Sequence, residues 1–310
     1  DPIAVNLALH NEYSLQRGVP TACRAPGYPF LLAGVYKAAG ADHQAARAVQ
    51  ALLGALTCLF VFLIFKPLSG VRAALFGGLL CAAHPVLIAF TGQILSETLF
   101  IFLFTGCLMF FLRWYDGGGA LPLCAAAVFF ALGTMTRPML ILMPVFFFGA
   151  AAVLRREWRR PLAGAIVFAV LLAVFVVPWA ARNNARFGKP TLFTSGHGPL
   201  FVLTLLKGGP TRANVDAADA MIAGAKDEYE RDAILKKELD RMVREEPVRT
   251  FFSLLSSMHF IPRFWLTSHS SIFGIDRPNS EYVAERNWGL LATKTLLLLP
   301  NTGLLIAAVA

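Results

Sequence analysis

"FTGQILSETLFIFLFTGCLMFFLR", residues 90–113, holds one acid, Glu97, one base, Arg113, and an uncharged run over 98–112 between them. A helix needs about 20 mostly apolar residues to cross a bilayer, so a run of this length crosses with the help of its flanks. Similar uncharged runs lie at 48–65, 73–96, 117–136, 138–154 and 161–181. A last apolar stretch, 288–310, contains a single Lys294 and reads as the start of a further crossing. The 310 residues are 56% hydrophobic and only 15% charged, with a mean hydropathy of +0.60. Soluble domains carry about 25% charged residues. The expected fold class is therefore an all-α polytopic membrane protein.

Charge sets the topology. Lys66 and Arg72 flank one loop, Arg113 begins another, and Arg155, Arg156, Arg159 and Arg160 fill a third. These are alternate loops, and basic residues collect on the cytoplasmic side. The net charge of +9 is read in that sense and implies no nucleic-acid partner. The opposite face receives 1–45, the turns near Gln93 and Arg137, and the long polar segment 182–287. The expected organisation is an outer loop and membrane-edge segment over 1–45, six transmembrane helices over 46–181, an outer region over 182–287, and a truncated crossing over 288–310. The chain opens and closes mid-pattern and reads as a piece of a longer protein.

Within 182–287, Met221, Ile222, Ala225, Tyr229, Leu235, Leu239, Met242 and Val243 recur at helical spacing, which predicts an amphipathic helix or helix pair over 214–246. Residues 250–262 suit a helix lying at the membrane surface. The run 190–206 is broken by Gly196, Gly198 and Pro199 and reads as extended or looped. Of five cysteines, Cys58, Cys81, Cys107 and Cys124 sit in apolar runs without C-x-x-C spacing, and read as small buried side chains.

Polar residues gather at four places on the outer face: Arg24 with Tyr28, Gln93 with Glu97, Arg137, and Arg182 with Asn183, Asn184 and Arg186. Glu97 is the only acid between Asp42 and Asp116. Within an apolar run a carboxylate faces protein or a water-filled cavity. The plainer reading is a helix N-terminal acid beside a capping Ser96. Arg137 reads either as a solvated turn residue or as part of a site. Arg182 reads either as an arginine snorkelling to headgroups or as a phosphate ligand. His84, before Pro85, reads as a packed, hydrogen-bonded side chain. There is no Walker loop, dinucleotide fingerprint, HExxH or GxSxG motif.

"CRAPGYPFLLAGVY", "RAVQALLGALT", "ILSETLF", "TRP", "VPWAARNNARFGKPTLFTSGHGPL" and "EEPVRTFFSLLSSMHFIPRFW" follow one another in this order. Together they resemble the bacterial branch of the protein O-mannosyltransferase-like, C-type glycosyltransferases of family 39, relatives of the lipid A aminoarabinose transferases. The resemblance implies a C-type transmembrane bundle in the bacterial inner membrane with its active site on the extracytoplasmic face. It implies transfer of a sugar from a polyprenyl-phosphate donor to an extracytoplasmic protein, lipid or glycan, with inversion by analogy. Arg24 stands at the family's cation position and Tyr28 at its aromatic position. Glu97 matches an acidic position, and Arg182 and Asn183 match the PW-x-x-RN element. The arginines, Arg137 included, would neutralise the phosphate leaving group. The family's main catalytic aspartate falls a few positions before Asp1, which is the nearest substitute. No metal cluster is visible, and the need for a divalent cation stays open. A flippase for polyprenyl-linked lipids, or a non-catalytic subunit, are the alternatives.

Overall fold

The computed structural model of the protein describes residues 1–195, 212–257, 283–290 and 292. The later part of 190–206, the end of 250–262 and nearly all of 288–310 lie outside the described residues. The chain divides into two units, 1–194 and 195–310.

The first unit opens with α1 (Pro2–His10), which ends on Asn11 in the left-handed conformation at φ 54°. A short antiparallel hairpin follows, β1 (Ser14–Gln16) and β2 (Val19–Pro20), turning at Gly18 with φ 78°. Asn6 Nδ2 donates to Ser14 O at 2.9 Å and ties the hairpin to α1. α2 (Gly27–Ala39) then begins within the proline-rich stretch. Pro26 and Pro29 cost no hydrogen bond there, because the first four N–H groups of a helix lack intrahelical partners.

α3 (His43–Ala83) runs for 41 residues, about 60 Å if straight and twice the hydrocarbon thickness. It is not straight. Gly70 adopts φ 78° and ψ 173°, and divides α3 into two arms. A Cβ on Gly78 would lie 3.5 Å from Cys58 O, and one on Gly77 would lie 3.6 Å from Phe65. The second arm therefore folds back along the first, and the glycines allow the close approach. His84 is extended, which separates this arm from α4 (Pro85–Gly92).

α5 (Glu97–Tyr115) and α6 (Ala120–Thr136) form the centre of the unit. Ala126, Ala127, Ala131 and Thr134 of α6 are completely buried. A Cβ on Gly106 of α5 would meet Phe129 at 2.3 Å, so these helices touch through a missing side chain. A 3-10 turn (Pro138–Leu142) leads to α7 (Met143–Arg155), and α8 (Arg159–Phe187) packs on α6. Phe111, Trp114, Phe130, Phe148 and Phe168 fill the core between them.

The outside of the bundle is apolar too. Leu162, Ile166, Val170, Val174 and Val177 form an exposed stripe down α8. Such a surface suits lipid rather than water. His43–Ala83, Glu97–Tyr115, Pro138–Arg155 and Arg159–Phe187 are long and apolar enough to cross a membrane, and Ala120–Thr136 is a shorter apolar helix. The protein is an all-α polytopic membrane protein, with one small hairpin among the described residues. Cys107 is buried, but Cys124 is exposed on this apolar surface, against the expectation of buried cysteines. An outward thiol costs little in lipid, which sequence hydropathy does not distinguish from core.

Basic side chains close one end of the bundle. Arg160 donates to Trp114 O at 2.8 Å and to Gly118 O at 3.0 Å, and Arg155 donates to Tyr115 O. The unpaired carbonyls at the end of α5 are satisfied in this way. Glu97, Arg137 and Arg182 lie at the opposite ends of α5, α6 and α8.

In the second unit, α9 (Arg212–Ile222) and α10 (Glu228–Glu245) pack through Ala218 and Leu235, with Ile222 and Met242 beside them. Asp227 accepts from Glu230 N at 2.7 Å while Glu230 accepts from Lys226 N at 2.7 Å, a reciprocal cap. α11 (Pro247–Ser257) follows and exposes Val248, Phe251 and Phe252.

Candidate active site

Arg182 organises the first cluster. Pro178 and Trp179 precede it by one turn of α8. Its Nη1 donates to Thr21 O and to Asn183 Oδ1, both at 2.8 Å, and its Nη2 donates to Tyr13 O at 3.0 Å. The guanidinium lies 5.0 Å from the Trp179 ring centre and 5.3 Å from that of Tyr13. An arginine held by three oxygens and by the rings of Tyr13, Trp179 and Phe187 does not snorkel. Its planar donors suit this arrangement, which a lysine cannot reproduce. Asn183 is fully buried and donates to Thr191 O at 2.8 Å. Trp179 Nε1 donates to Phe193 O at 3.0 Å, and Thr194 donates to Cys23 O at 2.7 Å. Together these bonds strap residues 191–194 to α8 and to the segment that precedes α2.

Beside this cluster lies a cavity of about 720 Å³, whose walls include Glu12, Tyr13, Phe30, Trp179, Arg182 and Arg186. Glu12 also shapes the hairpin, accepting from Gly18 N at 2.9 Å. The Tyr13 hydroxyl donates to Arg24 O at 2.9 Å. The cavity thus joins an apolar wall to two arginines and one carboxylate. That mixture suits a ligand with an anionic head and an apolar tail.

Glu97 organises the second cluster. Its Oε1 is paired with Arg137 Nη2, and Arg137 Nε donates to Ser96 Oγ at 3.3 Å. Ser96 makes no side-chain cap on α5; its hydroxyl is turned to Arg137 instead. Glu97 Oε2 is buried and has no hydrogen-bond partner among the described residues. Nearby, the buried Tyr28 hydroxyl donates to Gln50 Oε1 at 2.5 Å. Burial pushes the Tyr28 phenol well above the ordinary tyrosine range, with the charges of Tyr36 and Glu97 adding to the effect. It stays a proton donor through the physiological range.

Gly27 brings the two clusters together. It lines the cavity with Met135, while their neighbours Tyr28 and Arg137 belong to the second cluster. A Cβ on Gly27 would sit 2.5 Å from Thr136 Oγ1 and 2.9 Å from Thr136 N. The glycine of the A-P-G-Y-P stretch is therefore where α2 touches the end of α6. Gly27→Ala should separate them, costing about 1–3 kcal/mol. A lower thermal midpoint in detergent checks this; an unchanged midpoint would remove the contact from the account.

The remaining candidates stand apart. The Asp1 carboxylate lies 2.8 Å from His43 Nε2. The Arg24 guanidinium is exposed and makes no hydrogen bond or ion pair among the described residues. Sequence reasoning passed over Gln50, Glu12 and Tyr13. Gln50 had a signal, a lone amide in the apolar run A-V-Q-A-L-L-G, whereas Glu12 and Tyr13 acquire meaning only from the hairpin. Among the described residues no three His, Cys, Asp or Glu side chains gather to hold a metal ion.

Residues 23–180, just over half of the 310-residue chain, match the family model described as dolichyl-phosphate-mannose-protein mannosyltransferase. The match takes in Arg24, Tyr28, Gln50, Glu97 and Arg137 and ends just before Arg182. No curated protein matches the chain.

Proposed function

The chain belongs to the dolichyl-phosphate-mannose-protein mannosyltransferase family of membrane glycosyltransferases, and from this we propose that it transfers a sugar from a polyprenyl-phosphate donor to an extracytoplasmic acceptor. The observation that carries the reading is the cavity beside Arg182, where cationic donors meet an apolar wall at one end of the bundle. A lipid phosphate has the same two halves. Arg182 and Arg186 face the phosphate, and the aromatic wall takes the first isoprene units; the Arg24 guanidinium, exposed and without a hydrogen bond or ion pair among the described residues, is assigned as a further phosphate ligand.

In the reaction the bond between the anomeric carbon and the phosphate oxygen breaks. The bond from that carbon to the acceptor oxygen or nitrogen forms, and the acceptor's proton passes to a carboxylate. Arginines offset the charge left on the phosphate. Glu97, through its Oε2, which has no partner among the described residues, orients the acceptor or receives its proton. Attack from the face opposite the phosphate inverts the anomeric configuration. The family's first-loop aspartate, with Asp1 its nearest stand-in, would share the base role.

The site's face follows from charge. Arg113, Arg155, Arg156, Arg159 and Arg160 crowd the opposite end of α5–α8, and such residues favour the cytoplasm. The site then opens on the extracytoplasmic side of a bacterial inner membrane, with six crossings between 46 and 181. The test is reconstitution in liposomes of the protein expressed from its complete gene, with radiolabelled polyprenyl-phosphate sugars. Label is expected to leave the lipid for an acceptor. Label that instead crosses the bilayer still attached to lipid would replace the transferase by a flippase.

A further inference from the structure

Gln50 is only 1% exposed, within the uncharged run 48–65 of α3. Burying an amide is costly unless its bonds are made, and a leucine would pack there more cheaply. Its bonds are made. Oε1 accepts from Tyr28 Oη at 2.5 Å, while Nε2 donates to Gln93 O at 2.6 Å and to Thr91 O at 3.0 Å. The carbonyls belong to the end of α4, where no intrahelical donor is available. One turn earlier on α3, Arg47 Nε donates to Gly92 O at 3.0 Å. The start of α3 therefore grips three successive carbonyls, those of Thr91, Gly92 and Gln93. The gripped turn leads directly into Ser96 and Glu97, both of which contact Arg137. On its other side the same amide holds the tyrosine of α2.

We propose that Gln50 is a positioning residue for sugar transfer, whose amide fixes the α4–α5 turn so that Glu97 is presented in register with Tyr28. The proposal rests on the reading of Glu97 as a substrate-contacting acid. A residue that merely capped α4 would affect stability alone. A positioning residue affects the reacting geometry, and displacement of about 1 Å costs about 100-fold in rate. The phosphate grip at Arg182 does not involve Gln50, so donor affinity should survive its loss.

The experiment compares Gln50→Met, Glu97→Gln and the double variant in proteoliposomes of the full-length protein, with labelled polyprenyl-phosphate sugar as donor. Methionine keeps the length and removes the bonds. Gln50→Met should lower kcat about 30- to 100-fold with the donor KM within about threefold of wild type. The double variant should be no slower than Glu97→Gln. Tyr28→Phe, which breaks one of the amide's bonds at little risk to folding, should show the same kcat-only loss on a smaller scale. Full kcat in both Gln50→Met and Tyr28→Phe would overturn the proposal, as would a loss in Gln50→Met that multiplies that of Glu97→Gln. Should Gln50→Met fail to fold, Tyr28→Phe combined with Glu97→Gln decides by the same criterion. If Glu97→Gln itself transfers normally, the reading of Glu97 falls and the positioning role with it. If Glu97→Gln is inactive while Gln50→Met and Tyr28→Phe are not, only the positioning role falls.

Discussion

Glu97→Gln should lower sugar transfer by about 10²–10⁴-fold while leaving the protein folded and donor-bound. Glutamine keeps the shape and the bond to Arg137 but cannot take a proton or offer a full negative charge. The pairing uses Oε1 and leaves Oε2, buried, without a partner among the described residues. A carboxylate that served only the helix dipole would contribute about 0.3–1 kcal/mol, and its loss would barely move the rate. The rate measured at saturating donor separates these cases. A Glu97→Gln protein with wild-type kcat would return Glu97 to the helix terminus.

Arg182 carries the second large effect. Arg182→Lys keeps the charge but loses the planar fork that reaches Thr21 O, Tyr13 O and Asn183 together. Hydrogen bonds to a charged group contribute about 1.5–3 kcal/mol each, and the bonds here also hold the hairpin to α8. The expected result is about 2–4 kcal/mol of lost stability, read as a lower thermal midpoint. Donor KM should rise at least tenfold, because the cavity wall and its cation are disturbed at once. A lysine variant with normal KM and normal midpoint would show that neither the cavity nor the strap depends on this guanidinium.

The two effects differ in kind. Glu97 acts on the rate and Arg182 on binding and fold, so a double variant should combine both losses. Residues that share no hydrogen bond add their effects.

Membrane class and helical content were legible because hydropathy is a property of the linear chain. A run such as 98–112 has few places to go except lipid or a helical core. Glu97 stood out for the same reason, as a carboxylate set in an apolar run. Arg182 and Asn183 stood out beside Pro178 and Trp179. None of these features named a partner. Arg137 meets Glu97 from 40 residues away, and Arg182 finds Tyr13 O across 169 residues. Two of the Arg182 partners are backbone carbonyls, which every residue possesses and which no pattern of side chains identifies.

By itself, then, the order of residues determined the solvent, the helices and which side chains were too polar for their surroundings. Solvation acts on each segment separately, so those features need no knowledge of neighbours. Tertiary structure alone decided that Asp1 turns to His43, that Ser96 faces Arg137 rather than capping its helix, and that Gln50 joins α2 to the α4–α5 turn. It also decided why the proline-rich stretch needs its glycine, since only contact with Thr136 forbids a side chain there. Each of these rests on a distance of about 3 Å between residues remote in sequence, and such distances are set by how the helices pack.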